Sequence, residues 1–534
     1  MKSYLELIKK AKIGSLVAVQ EEVDYNGSGL DYFAKLADYG RRKNCILFES
    51  AELLPKYGEK TIGIFNPCLK IEGEGADFEI KALNKLGERF IKFLHGDFSF
   101  CDMVHYKSSS IKGRLSPVRK AVDEDERLKL KSHMDIIRKI AFRFKPVNDA
   151  AAPSCGLFGF ISYDFVDQFE NLPKKQQDVL NEPDYELFFA DNMFLMDHKE
   201  KKLILTANAL VMESKNREAL YAGCKSKIDF YKKSISKKIP KKRAFKAEKQ
   251  KIRTDISKED FIKNINQLKK HILKGDVYQV VPSRTVITNY NAEPFDIYRQ
   301  LRLLNPSPYM FYISSGNGIL LGASPEMSLR VHGAKEKTVE IRPIAGTKPR
   351  GFLSGKIDAD LDSRYETELK TDSKEISEHI MLVDLARNDI ARISIPGTRH
   401  VSESMAVEKY SHVQHLVSNV KGILKPGFDA LHAYSASMNM GTLTGAPKVE
   451  AMKLIRKFEK TKRGSYGGCV CYLTPNGDFD SAIIIRSMRI KGKDAYIRAG
   501  AGVVYDSIPK NEFYETERKA QACLEAVRKA GGLR

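Results

Sequence analysis

The sequence predicts an α+β fold, and three observations carry that prediction. Strand-like and helix-like stretches are interspersed without the regular strand–helix–strand alternation of a doubly wound parallel sheet. Four short strand candidates, Met310–Ser314, Gly318–Leu321, Met327–His332 and Thr338–Arg342, follow one another across Gly- and Asn-bearing turns, which is the pattern of antiparallel pairing. Two long helical stretches, beginning near Lys374 and Pro509, each set two glutamates one turn apart.

Taken in order, Leu5–Leu16 is weakly amphipathic. Cys45–Ser50 (CILFES), Ile62–Phe65 and Leu69–Ile71 are short apolar strand candidates. Lys107–Phe144 is charged and helical in its second half. Gly156–Asp164 reads as a buried strand whose glycines allow close backbone approach. Leu187–Asp197 and Leu203–Leu210 read as paired strands joined by a charged turn at Lys199–Lys202, and Arg217–Tyr231 as a helix. Lys232–Arg253 is lysine-rich, carries Pro240 and few apolar residues, and reads as a solvated linker. The predicted organisation is therefore an N-terminal region 1–231, a linker 232–256 and a second region 257–530.

After the linker, Ser257 with Asp260 forms a capping box, Phe261, Ile265, Leu268 and Ile272 an apolar stripe, and Gly275 a stop. Val277–Val281 reads as a strand. Asp372 caps the Lys374 helix, with Glu375 closing a second capping box and Ile376, Ile380 and Val383 on one apolar stripe. A short helix at Ala430–Ser437 precedes GTLTGAPK (Gly441–Lys448), a tight turn into a helix with Pro447 at its first position. Strands at Gly467–Leu473, Ala482–Met488 and Ala495–Ala499 follow, then a last helix from Pro509 to Ala530.

Composition excludes several classes. With 42% hydrophobic residues in 534, the chain can build a large core of two or more packed units. No apolar run approaches the ~18 residues of a membrane span, and Lys9, Lys10 and Lys12 interrupt any secretory signal. Eight scattered cysteines without CxxC pairs predict free thiols in a reducing cytoplasm and no zinc site. The net charge of +21 raises nucleic-acid binding. Much of the excess lies in the linker, and no aromatic–basic interleaving suits base stacking. The prediction is no nucleic acid and no membrane, with the remaining charge attracting a small anionic substrate.

Several motifs carry chemistry. Glu375 with Glu378, and Glu512 with Glu515, could hold a hard divalent cation such as Mg²⁺ between two helices. On spacing alone such pairs are more often solvated faces. GTLTGAPK fails the spacing of a phosphate loop, although its free amides suit a carboxylate as well as a phosphate. Gly500-Ala-Gly502 lacks the third glycine of a dinucleotide fingerprint. His412-Val-Gln-His415 is a weak metal motif, for which a structural histidine is the default.

Together these stretches resemble component I of anthranilate synthase, within the chorismate-utilising enzymes. The resemblance rests on DVYQVVPS (Asp276–Ser283), GASPEM (Gly322–Met327), RPIAGT (Arg342–Thr347), Lys374–Asp389, YSHVQHLVS (Tyr410–Ser418), Gly441–Lys448, Asn476–Arg486 and Arg498–Asp506, in the family's order. CILFES, LSPVRKAVDEDERL and GLFGFISYDFVDQFE extend it more loosely into the N-terminal third. The fold it implies has largely antiparallel sheets packed face to face with helices outside. The activity it implies is Mg²⁺-dependent attack of ammonia on chorismate followed by loss of pyruvate, the first committed step of tryptophan biosynthesis.

The resemblance also implies roles. Glu378 and Glu515 match direct metal ligands, and Glu375 and Glu512 match residues holding the metal's waters. Tyr466, Arg486, Lys519 and the backbone at Gly500 and Gly502 match the site of the enolpyruvyl carboxylate. Ala345, Gly346 and Thr347 match a substrate-lining turn, and Thr442 lies near the ring. Glu326 matches the acid for the leaving 4-hydroxyl, and His415 the base for the ring proton. Relatives that add water carry a lysine where this chain has Gln279. Aminodeoxychorismate synthases carry a nucleophilic lysine where it has Ala345. Both absences imply direct attack by ammonia. An aminodeoxyisochorismate synthase that stops before pyruvate loss shares these motifs and is the close alternative. Ala391, Arg498 and Arg518 depart from the family pattern, Arg498 at the expected mouth of the site.

A second set of matches implies feedback inhibition by tryptophan. Glu49, Ser50 and Lys60, with Pro308, Tyr309, Met310 and Phe311, match the family's amino-acid site. The bland alternative is a strand edge with Glu49 merely paired to Lys60. The partner implied is a separate glutamine amidotransferase subunit, since no appended domain with a nucleophilic cysteine follows the last motif.

Overall fold

The computed structural model describes residues 3–51, 60–118, 120, 122–174, 176–245, 248–353, 355–410 and 413–531. Two large sheets dominate it. One runs, edge to edge, through Ile252–Thr254, Ser283–Asn289, Asp494–Gly500, Ser487–Lys491, Gly318–Ser324, Tyr309–Ser315, Cys45–Glu49, Lys60–Ile64, Asn192–Asp197, Lys202–Leu210, Ser15–Val23 and Lys145–Pro146. The other runs from Ile344–Pro349 and Val413–Ile423 through Thr338–Ile341, Met327–His332, Phe479–Ile483, Cys469–Leu473, Gly156–Ile161 and Tyr185–Ala190 to Leu69–Glu74 and its hairpin neighbours. Within the two sheets, pairing among the described residues is antiparallel apart from the short contact of Ser15 and Leu16 with Lys145 and Pro146. This is the predicted α+β class.

The sheets face each other. Ile46, Ile62, Ile313 and Leu320 of the first interdigitate with Phe158, Phe160, Phe188 and Val470 of the second. Burying each such side chain contributes roughly 1.5–3 kcal/mol. Helices close the outer faces: Pro294–Leu304 and Pro509–Ala530 cover the first sheet, and Ser373–Ile393 packs on Val413–Ile423. Each sheet has a seam where residues before the lysine-rich stretch pair with residues after it. Cys45–Glu49 pairs with Tyr309–Ser315, and Gly156–Ile161 with Cys469–Leu473.

Four times the chain leaves one sheet and enters the other within a few residues: between Ile64 and Leu69, at Asp191, at Pro325–Glu326 and at Ile484–Arg486. These switches correct three sequence readings. Leu187–Asp197 is two strands in different sheets, as is Ala482–Met488. The antiparallel set from Met310 to Arg342 divides into one hairpin in each sheet. Periodicity cannot reveal a switch, because each half remains apolar where it enters the shared core.

Other differences are local. On the Ser373–Ile393 helix the buried positions are His379, Leu382, Ala386, Asp389, Ile390 and Ile393, and Ile380 is 50% exposed. Of the predicted Ile376–Ile380–Val383 stripe, Val383 packs against the core and Ile380 faces solvent. Pro447 is the cap before the helix Lys448–Phe458 rather than its first residue. The helix from Arg217 runs on to Ile235. The lysine-rich stretch is mostly exposed but anchored. Lys242 pairs with Asp296 at 2.7 Å, the Arg243 amide donates to Glu293, and Ile252–Thr254 joins the first sheet. Among the described residues no helix is long and apolar enough to cross a membrane.

Candidate active site

The two acidic helices converge. Asp372 accepts the amides of Lys374 and Glu375, which starts the first helix there, and the Glu375 carboxylate turns instead toward Gly346. A Cβ on Gly346 would meet Leu369 Cδ1 at 2.9 Å and Glu375 Oε2 at 3.0 Å, and its φ of +70° favours glycine. Lys448 of GTLTGAPK reaches Asp389 on the same helix and the Ser437 carbonyl, both at 2.6 Å. It is a buried brace, which absorbs the motif as structure. The second helix is seated by Ala520, Cys523, Ala526 and Val527.

Their carboxylates feel one another. Burial raises Glu375, and Glu378 adds repulsion; burial raises Glu378, and Glu515 adds repulsion. Glu512 is raised by burial, and its Oε2 is buried without a hydrogen-bond partner. Burial also pushes Glu515 up, but Lys519, 2.6 Å away, outweighs it and holds the carboxyl down. Among the described residues no three acidic, histidine or cysteine side chains form a ready cage. Mg²⁺ keeps several waters and needs only one or two protein carboxylates. Crowded carboxylates with one orphaned oxygen fit such an ion.

The sheet switches place the next groups. Glu326 lies at one and Arg486 at another, with φ +50° at Arg486. The two turns are stitched together: the Ile483 amide donates to the Glu326 carbonyl, and the Ala323 amide to the Arg486 carbonyl, each at 3.1 Å. Burial lifts the Glu326 carboxyl to about 8, against the opposing pull of the Thr442 hydroxyl and Lys519. Glu326 Oε1 and Thr442 Oγ1 are both buried without hydrogen-bond partners. Arg486 Nη1 donates to the Lys519 carbonyl at 3.2 Å, and Lys519 Nζ to the Gly500 carbonyl at 3.0 Å. A Cβ on Gly500 would meet the Tyr466 hydroxyl at 3.1 Å; one on Gly502 would meet Gln279 Nε2 at 3.0 Å.

His415 completes the group. Its Nδ1 lies 3.0 Å from the Gly346 carbonyl and 3.0 Å from Thr347 Oγ1. A carbonyl only accepts, so Nδ1 carries the proton and Nε2 presents its lone pair. Burial lowers the imidazole, and the Arg486 charge adds to this, keeping the ring neutral. Ala345 and Thr347 flank a bulge at Gly346 in the pairing with Val413–Ile423. His412 lies outside the described residues.

Glu49, Ser50, Lys60, Pro308, Tyr309, Met310 and Phe311 line one cavity of about 890 Å³, open to solvent, between the two sheets. Glu49 accepts from Tyr298 at 2.6 Å and Arg302 at 3.0 Å, while Lys60 donates to the Ala152 carbonyl. The Glu49–Lys60 pair of the bland reading is not formed. Ser50 Oγ is buried without a partner.

Two features escaped the sequence reading. Gln279 is a neighbour of Glu378, which nothing in its motif signalled. Arg498 is no feature of the site's mouth: it is 8% exposed and pairs with Glu459 at 2.7 Å, beside Arg463. Ala391 and Arg518 are exposed.

Two face-to-face antiparallel sheets, paired carboxylates on two helices and a buried neutral acid at a sheet switch define the class. The profile of the chorismate binding enzymes matches residues 105–525, and the chain belongs to that family. Within it, the chain falls among the anthranilate synthase component 1 proteins. It is 41% identical over 520 residues to that protein of Vibrio cholerae, covering 97% of each chain. It is 40% identical over 495 residues to that of Haemophilus influenzae, covering 91% of this chain and 92% of the other. The crystal structure of anthranilate synthase component I from Streptococcus pneumoniae superposes with a TM-score of 0.69 at 30% identity, covering 88% of this chain and 93% of that one.

Proposed function

We propose that the chain is the chorismate-aminating subunit of an anthranilate synthase, converting chorismate and ammonia to anthranilate and pyruvate. The observation that carries this reading is a carboxyl kept protonated at neutral pH, Glu326, in one constellation with a histidine kept neutral, His415. Lys519 and Arg486 link them, since the Lys519 charge reaches Glu326 and the Arg486 charge reaches His415.

Glu378 and Glu515 would hold Mg²⁺ directly, with Glu375 and Glu512 on its waters. Once bound, the ion supplies a counter-charge for the ring carboxylate and an electron sink. Arg486, Lys519 and Tyr466 hold the enolpyruvyl carboxylate, and Gly500 and Gly502 allow it to approach the backbone. As ammonia adds to the ring, Glu326 gives its proton to the 4-hydroxyl, which leaves as water; the Thr442 hydroxyl stands near that carboxyl. His415 Nε2 then takes the ring proton while the bond to the enolpyruvyl oxygen breaks, releasing pyruvate and the aromatic product. Gln279 offers no base for water and Ala345 no nucleophile, so ammonia attacks the ring directly.

A glutamine amidotransferase subunit would supply the ammonia. In support, burial raises the thiols of Cys45, Cys68, Cys155, Cys224 and Cys523, the opposite of an activated nucleophile. Tryptophan would inhibit from the inter-sheet cavity. Glu49 and the Met310 backbone suit its ammonium and carboxylate, and Phe311 the indole. The catalytic groups all fall in 257–530, whereas the regulatory cavity takes walls from both sides of the lysine-rich stretch. A cytoplasmic location fits the free thiols. Incubation with chorismate, Mg²⁺ and an ammonium salt tests the reading: a fluorescent aromatic acid and pyruvate should form in equal amounts, and their absence would refute it.

A further inference from the structure

A second cavity, of about 630 Å³, touches Tyr466 away from the acidic helices. Its floor is four adjacent strands of the first sheet. One transverse row of that sheet reads Ile46, Ile313, Leu320, Arg489, Tyr496 and Ile287 in register. The row ends at Arg253 on the sheet's edge strand; in its apolar and aromatic interior Arg489 is the one charge, and its side chain is 2% exposed. Val179, Leu180 and the segment 461–466 form the roof.

The guanidinium is only partly satisfied. Glu182 Oε1 lies 2.9 Å from its Nε, and Nη2 donates to the Asn317 carbonyl at 3.3 Å. Nη1 is buried and makes no hydrogen bond. Leaving such a donor unmade is costly unless something arrives to accept from it. Glu182 is already engaged by the Ser465 amide and hydroxyl. The lining holds four cations, Lys462, Arg463, Arg489 and Arg498, against one carboxylate, Asp255. The other carboxylates that pair with these cations, Asp178, Glu182 and Glu459, are not among the lining groups. Leu180, Ile287, Leu320 and Tyr496 supply apolar and aromatic wall, and Thr285, Thr461, Ser465 and Ser487 add hydroxyl residues.

We infer that this cavity is a second ligand site for a small aromatic monocarboxylate, its oxygen on Arg489 Nη1 and its ring among Leu180, Ile287 and Tyr496. A dianion is disfavoured, because Glu182 already takes up part of the guanidinium charge. The cavity borders the proposed substrate site through Tyr466 but holds none of the four paired glutamates, and it shares no lining residue with the cavity at Glu49.

Titration of the full chain with 4-fluorobenzoate, followed by ¹⁹F NMR, tests the assignment. Wild type should show saturable binding. Arg489→Met should weaken it about tenfold or more, and Leu180→Trp, which fills the cavity from the roof, should abolish it. If Arg489→Met fails to fold, Leu180→Trp decides, with a cooperative thermal transition as its control. Absence of saturable binding, or undiminished binding to folded Leu180→Trp, overturns the proposal; the latter would mean that the probe sits elsewhere.

Discussion

Gln279 Nε2 donates a 3.0 Å hydrogen bond to Glu378 Oε1, and does so from a two-residue strand paired with Gly445–Ala446. The bond opposes the burial that raises Glu378. Gln279→Leu keeps the shape and removes the donor. Glu378 should then hold its proton more tightly, and the half-saturating Mg²⁺ concentration at neutral pH should rise roughly tenfold. A Mg²⁺ titration of turnover reads this directly, and an unchanged midpoint would separate Gln279 from the metal site.

Loss of a carboxylate should act more severely. Glu378→Ala and Glu515→Ala should each abolish chorismate turnover while leaving circular dichroism intact, and EDTA should silence wild type reversibly. Full activity in excess chelator would remove the cation from the reading.

Glu326→Gln should lower kcat by about 10²–10⁴-fold and remove the alkaline limb of the pH profile. In wild type that limb should fall near pH 8, where the acid ionises. The acid limb should lie below the usual histidine range, because His415 is lowered. Stability carries a matching signature. Glu326 binds its proton more tightly folded than unfolded, so stability is greatest below the ordinary carboxylate range and declines as pH rises toward 8. Glu326→Gln should lack that decline and melt higher than wild type at alkaline pH. Differential scanning calorimetry across pH checks the sign.

Tryptophan should bind and inhibit wild type. Ser50→Phe should relieve inhibition while the uninhibited rate stays near wild type, because Ser50 lies in the inter-sheet cavity and not among the catalytic groups. The coupling has a short path: Tyr309 of the cavity pairs with Ser324, two residues before Glu326, and Ser481 and Ala482 precede Arg486 on one chain segment. Inhibition requires tryptophan to favour the less active arrangement of these switches. Calorimetry showing no binding at millimolar tryptophan would exclude the site.

The purified chain should use ammonia and not glutamine. Glutamine-dependent anthranilate formation by the chain alone would mean that one of its own thiols is activated.

The class of fold and the order of the site motifs were legible because hydrophobic period, caps and glycines are local properties. Asp372, Ser257 and Gly275 each act where the sequence placed them. The glutamate spacing revealed paired carboxylates, but it could not say which helix face packs, and Ile380 was misplaced. The position of Glu326 and Arg486 at sheet switches was hidden, because a strand that changes sheets keeps its apolar pattern. Arg498 was misread because its partner, Glu459, is remote in sequence.

The two seams also set the order in which the molecule can be made. Cys45–Glu49 and Gly156–Ile161 emerge from the ribosome long before Tyr309–Ser315 and Cys469–Leu473, the strands that complete them. At roughly 5–20 residues per second, the nascent chain carries bare apolar strand edges for tens of seconds. Those edges are templates for any passing strand. Neither sheet can close until synthesis is almost complete, so the first half is held in waiting rather than folded. Recombinant yield should therefore respond to chaperone supply and slow induction more than to changes in the stability of the finished enzyme.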